Sequence, residues 1–298
     1  MLYGRAIREG GNQAMTDRRR EVGSYQPDGY VLGSDDPELR RLRTVSILYR
    51  DTTRRWLEQA GIGPGMSVVD VGCGPGDVAL LAAELVGADG SVLGVDGAPE
   101  ALDLARSRAE EAGLPNVRYE QADVTSWLPS AEGGAVDAIV GRLILMHLPD
   151  PAKALSRLAR AVRPGGMIAF QDVVLATRRA EPALPLVGAF NGWLLETLRR
   201  AGRPVDMGLR LAAVFREAGL PEPGLCAGQP VERGAGALGY SIMAGDVVSL
   251  LGRMRALGVA TTAEVRPETF EGRLRAEAEA ANAVLLNPLM VGAWVRVR

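Results

Sequence analysis

Lysine is almost missing from this chain: Lys153 stands alone among 34 basic residues, and the rest are arginine. We read that bias as the codon usage of a GC-rich genome. It also removes one enzyme chemistry, because no Tyr-x-x-x-Lys pair can be built on a single lysine preceded four positions earlier by Pro149. Two cysteines, Cys73 and Cys226, are too few for a disulfide scaffold and fit a reducing, cytoplasmic compartment. With one histidine beside them there is no set of zinc ligands, and since Gly141-Arg142 carries no carboxylate and Asp172 is a lone acid, no oxygen-liganded metal is expected either. No apolar run reaches the roughly 18 residues of a membrane span, and the N-terminus has no apolar signal core. Nor is there excess positive charge: the net charge of -2 argues against a nucleic-acid partner.

What is present is a strand–loop–helix stretch at residues 68–86. The apolar run Val68-Val69-Asp70-Val71 reads as a buried strand. Gly72, Gly74 and Gly76 follow at alternate positions with Cys73 between the first two, and Val78, Leu80, Leu81 and Leu85 then keep helical spacing. Such a loop offers backbone N–H groups to a ligand at a strand end, and glycine is needed where a Cβ would hold that ligand away. The dinucleotide fingerprint G-x-G-x-x-G is not met, because Asp77 occupies the place of its last glycine.

Further stations follow in order. The strand Ser91–Asp96 ends in an acid 20 residues after Gly76, with Gly97 next. One carboxylate there can accept both hydroxyls of a ribose; Asp96-Gly97 also reads as an ordinary turn pair. A helix is expected over Pro99–Ala112, a strand over Val117–Gln121, and Asp123-Val124 beyond it. Asp123 can also serve as a cap of the short turn Thr125–Leu128. The fourth strand is Val136–Arg142, ending Gly141-Arg142, and it leads to His147-Leu148-Pro149-Asp150-Pro151. A helix over Ala152–Val162 should stop at the turn Arg163-Pro164-Gly165-Gly166, before a fifth strand over Met167–Asp172.

Together these stations resemble the class I S-adenosylmethionine (SAM) methyltransferases, of the small-molecule, actinomycete biosynthetic type. The resemblance implies an α/β, Rossmann-like class I methyltransferase fold: a seven-stranded, mostly parallel sheet with helices on both faces and a helical lid. Its last two strands are expected near Gly224–Val231 and Val291–Val297. It implies a division into an N-terminal lid segment (1–60), a SAM-binding core (61–175) and lid helices with the last strands (176–298). The cofactor set it implies is Asp70, Gly72, Cys73, Gly74, Gly76, Asp96, Gly97, Asp123, Val124, Gly141 and Arg142, with S-adenosylhomocysteine (SAH) as product. Arg142 after the fourth strand and Arg43 on the first helix are candidate partners for the SAM carboxylate, and Tyr30 is expected to fold over the cofactor.

For the acceptor side, Leu184–Ala201 and Leu238–Leu257 read as amphipathic helices, fit either to form a lid or simply to cover the sheet or a subunit contact. Phe190, Trp193, Tyr240 and Met243 on them, with Tyr25 and Gln171, are the candidate substrate contacts. His147 and Asp172 are the catalytic candidates. His147 alone has an ordinary pKa near neutrality, but its phrase is shared by relatives with unrelated acceptors, so a cofactor or packing contact competes with a base. The activity expected is methyl transfer to a small, partly apolar metabolite, mainly by proximity, in a homodimer or larger homo-oligomer. C-methylation of a prenyl group is within the family's range. The alternatives are a nicotinamide-dependent oxidoreductase and a non-catalytic SAM-binding protein.

Overall fold

The computed structural model describes residues 36–129 and 135–298. Tyr25 and Tyr30 lie outside the described residues.

Seven strands form one sheet: β1 (Ser67–Val71), β2 (Ser91–Asp96), β3 (Val117–Gln121), β4 (Val136–Arg142), β5 (Val162–Val174), β7 (Gly224–Gly228) and β10 (Leu289–Arg296). Their order is β3-β2-β1-β4-β5-β10-β7. β10 runs antiparallel to both neighbours, while the pairs among β1 to β5 are parallel. The chain reverses its direction of travel across the sheet between β1 and β4. Ligands of open α/β sheets sit at such a point, outside the carboxyl ends of the strands.

Strand alternation divides the core in two. Val68, Ala138, Val140, Met167 and Ala169 face one way, toward α1 (Asp36–Gln59) and α2 (Asp77–Val86). Val69, Val71, Ile139, Ile168 and Phe170 face the other, toward α4 (Pro151–Ala159) and α6 (Met207–Glu217). On the first face Trp56 of α1, fully buried, presses so closely on β10 that a Cβ at Gly292 would lie 2.2 Å from its ring.

A second, smaller core stands beside the sheet. It gathers α5 (Pro185–Arg200), α7 (Leu238–Ala256), α8 (Thr262–Val265), α9 (Pro267–Ala280) and the three-stranded sheet β6 (Arg179–Glu181)–β9 (Val284–Leu286)–β8 (Val231–Arg233). The amphipathic helices expected at 184–201 and 238–257 are α5 and α7. The second sheet has no counterpart in the sequence reading, since three-residue strands carry too little alternation to register. Val231, expected to end the sixth strand of the main sheet, instead begins β8 in the small one.

Two boundaries also differ. α4 ends at Ala159, and Arg163–Gly166 lies within β5 rather than forming a helix stop. Pairing across β4 and β5 absorbs the extra length through a register shift between Val136 and Ala138. α3 (Pro99–Glu111) packs on β2 and β3.

Candidate active site

A cavity of about 710 Å³ opens at the carboxyl ends of β1, β2 and β4. That is within the range for a small-molecule site. One side is the loop after β1. Gly72, Gly74 and Gly76 all take positive φ, at 70°, 50° and 83°, a backbone that favours glycine. Gly76 caps α2, so the loop ends at a helix N-terminus. Gly74 lines the cavity, and a Cβ there would meet nothing within 4 Å, so a side chain would project into the space a ligand would use.

Asp96 ties this side together. Its Oδ2 accepts from Gly74 N at 2.8 Å and its Oδ1 from Ala98 N at 2.9 Å. Burial raises its pKa, while these amides pull it down. Gly97, Val124 and Asp123 continue the wall. Asp123 Oδ1 accepts from Thr125 N and Oγ1 at 2.8 and 2.7 Å, so the capping role is present in the same residue that faces the cavity. Arg157 of α4 holds this turn through the carbonyls of Val124 and Thr125.

Behind the loop runs a buried polar chain. Arg108 of α3 donates to Asp77 Oδ1 at 2.6 Å. Arg142 Nη2 reaches Asp77 Oδ2 at 3.4 Å, and its Nη1 donates to Thr53 Oγ1 at 3.0 Å. Thr53 in turn donates to Gln171 Oε1 at 3.0 Å. Arg142 is therefore held on the cavity wall by both ends of its fork.

The structure brings together Gly72, Cys73, Gly74, Asp96, Gly97, Asp123, Val124, Arg142 and His147. Other expected residues fall elsewhere. Asp70, Gly76 and Gly141 do not line the cavity. Asp70 is fully buried, and burial pushes its carboxyl up to about 7 against Arg142 and the Ala79 amide. Gly141 lies in β4 beneath Phe170 and Ile144. Arg43 is exposed on α1, while Arg41, two residues earlier, faces the cavity. The difference is helical phase: Arg41 shares its face with Val45 and Tyr49, four and eight positions on, and that stripe was the signal that could have found it.

The catalytic candidates divide. Asp172 is buried behind the wall, where its oxygens accept from Val173 N at 2.9 Å and Met146 N at 3.2 Å. It anchors the short 3-10 turn Leu145–His147 to β5 and does not reach the cavity. Gln171 points to Thr53 and is likewise shut off. His147 does line the cavity, but burial first, then Arg203 and Arg41, push its pKa down to about 3. The phrase after it has a local purpose: Asp150 caps α4 by accepting from Lys153 N at 2.9 Å, and Pro151 opens the helix.

The proposed substrate contacts on α5 and α7 also move. Phe190, Tyr240 and Met243 are fully buried in the second core, and Trp193 packs on Phe270 at 6.3 Å between ring centres. The cavity is lined instead by Leu194 and Leu198 of α5 and Ile242 and Asp246 of α7. Each helix has two buried faces, and the larger side chains went to α9 and β9. Tyr49, Arg178 and Asp246 complete the far wall. Asp246 carried a signal, a carboxylate on the buried stripe of α7; Arg178, after β5, carried none.

Among the described residues no group of three His, Cys, Asp or Glu could hold a metal ion, and no helix is long and apolar enough to cross a membrane.

The family model described as a methyltransferase domain matches residues 62–196. The chain is 34% identical over 170 residues to the ubiquinone biosynthesis O-methyltransferase of Thiobacillus denitrificans, across 56% of this chain and 69% of that protein. It is 38% identical over 110 residues to the aklanonic acid methyltransferase DauC of a Streptomyces species, across 37% of this chain and 49% of that protein. It spans from 45% to 69% of the length of the first curated relatives it matches. The YcgJ protein of Bacillus subtilis has the same fold, with a TM-score of 0.51 over 83% of this chain and 99% of that one at 18% identity.

Proposed function

Because this chain belongs to the class I SAM-dependent methyltransferases, we propose that it moves a methyl group from SAM to a small, partly apolar metabolite. The single observation behind this reading is the division of one cavity between two walls. On one wall stand the Gly72–Asp77 loop, Asp96 and the Asp123-Val124 turn; on the other stand Leu194, Leu198, Ile242 and Met290. The names of two relatives, a ubiquinone biosynthesis O-methyltransferase and an aklanonic acid methyltransferase, support a small-molecule acceptor, and a role in secondary metabolism is part of the same proposal.

SAM brings a methyl group on a sulfonium, so the leaving group is already activated. Gly72–Asp77 and the carboxylate of Asp96 would hold and orient the cofactor, with Asp96 accepting from its ribose hydroxyls beside the amides it already binds. Arg142 would face its carboxylate end. The apolar wall excludes water and fixes the acceptor, and alignment of this kind supplies much of the rate in a displacement.

Neither His147 nor Tyr49 is poised as a base near neutral pH. His147 holds its proton too weakly, at a pKa of about 3. The Tyr49 hydroxyl donates to the Pro288 carbonyl at 2.8 Å, and burial pushes its pKa well above the ordinary tyrosine range. Proximity and orientation therefore carry the reaction, with an acceptor atom that needs no strong base. The assignment of individual side chains, a homo-oligomeric state and a cytoplasmic location belong to this reading.

Thermal unfolding tests it. SAH should raise the midpoint and NAD or NADP should leave it unchanged, since a ligand stabilises only the state that holds it. A shift with NAD in place of SAH would favour the oxidoreductase alternative. Labelled methyl passing from SAM to a low-molecular-weight acceptor separates an enzyme from a passive SAM-binding protein.

A further inference from the structure

The far wall of the cavity carries a guanidinium whose donors are not filled. Arg178 follows the 3-10 turn Leu175–Thr177 after β5. Its backbone is pinned on one side by Asn191, whose Nδ2 donates to the Arg178 carbonyl at 2.9 Å. Its side chain is 3% exposed and lies 4.9 Å above the ring centre of Phe190. The carboxylate it approaches is Asp246, at 4.0 Å, and Asp246 is shared with Arg41 at 3.2 Å. Nε and Nη1 of Arg178 meet no acceptor among the described residues and are themselves sealed by the packing, which leaves Nη2, 4.0 Å from Asp246, as the nitrogen a cavity ligand would meet.

A cation taken out of water is normally matched by acceptors on most of its donors, because an unmatched buried charge is costly. Phe190 offers only its ring face, and Asp246 sits beyond good hydrogen-bond distance. Arg178 nevertheless forms part of the wall of a largely apolar cavity. It stands after the carboxyl end of β5, across the sheet from the glycine loop and Asp96, and so on the acceptor's side.

We propose that Arg178 anchors a carboxylate on the methyl acceptor, so that the substrate class is a small apolar acid bound head-first against this guanidinium. The assignment deepens the methyltransferase reading and rests on it. A guanidinium is the side chain best matched to a carboxylate, being planar, always charged and rich in directed donors. Arg41, Arg178 and Asp246 together leave one net positive charge, which suits a single carboxylate better than a dianion such as a phosphate monoester. Leu194, Leu198, Ile242 and Met290 give the acid's body an apolar bed.

The test uses full-length protein loaded with SAH and four probes: trans-cinnamate, decanoate and the amide of each, titrated calorimetrically. Both carboxylates should bind at least tenfold tighter than their amides. Arg178→Met should erase that preference while leaving SAH affinity and amide binding unchanged, and Arg178→Lys should restore part of it. Equal binding of acid and amide, no binding of either acid, or an undiminished preference in Arg178→Met would overturn the proposal. The acid–amide contrast needs only wild-type protein, so it stands even if the Met variant fails to fold. Titration of SAH alone is read separately: its failure would sink the cofactor reading, and the acid–amide contrast, repeated without SAH, still decides the anchor.

Discussion

Replacing His147 by Gln separates a base from a wall residue, and the size of the effect follows from its surroundings. The imidazole pKa falls from 6.5 to about 3, because burial and the charges of Arg203 and Arg41 all oppose protonation. In the unfolded chain the group returns to its ordinary value. Between those two values the unfolded state binds the proton and the folded state does not, so stability rises with pH across the window. Above pH 6.5 the contribution is fully present; it is lost as pH falls from there toward 3. At about 1.4 kcal/mol per unit, a full drop of 3.5 units is a ceiling of about 5 kcal/mol, and about 3 kcal/mol is already lost at pH 4. Urea unfolding at pH 7, 6, 5 and 4 measures this directly. Wild type should lose up to about 3 kcal/mol more than His147→Gln between pH 7 and pH 4. Identical pH slopes in the two proteins would refute the buried, neutral imidazole. Kinetics supply the second arm. His147→Gln should keep kcat within about tenfold, whereas loss of a general base costs about 10²–10⁴ in kcat. A loss of that size with SAH affinity intact would restore His147 as the base.

Three further outcomes are expected. Asp96→Ala should weaken SAH binding by about 1.5–3 kcal/mol, because it removes charge-assisted acceptors from the ribose and frees the Gly74 amide; calorimetry that finds unchanged affinity would refute its role. Arg43→Ala should leave SAH affinity unchanged, being exposed, and a fall would return Arg43 to the site. Gly292→Val should destabilise the fold by about 1–3 kcal/mol through overpacking against Trp56, seen as a lower urea midpoint with SAH binding intact in the folded fraction.

The glycine loop was readable because its conformation is local. Gly72, Gly74 and Gly76 announce a backbone with positive φ, and Asp96 at the next strand end follows from chain order alone. Val68–Val71 and Val136–Val140 were equally plain, since an apolar run bounded by turns admits few readings. The α-helices at 185–200 and 238–256 were found within a residue or two for the same reason.

Side-chain direction was another matter. Periodicity shows that α5 and α7 have apolar faces, but not which neighbour claims each one. Phe190, Tyr240 and Met243 went to a core built with α9 and β9, and the smaller Leu194, Leu198 and Ile242 were left to the cavity. Asp172 and Gln171 read as polar groups at a strand end; they proved to be held inward by the amides of Met146 and Val173 and by Thr53. Hydrogen-bond partners of that kind come from other segments and leave no mark on the local pattern. The residue order of this chain thus specifies the backbone of the cofactor side, where each conformation depends on its own few residues. The acceptor side, where Arg41, Arg178 and Asp246 meet from three distant elements, exists only once the two cores have packed together, because long-range burial rather than local backbone preference sets which side chains face the cavity.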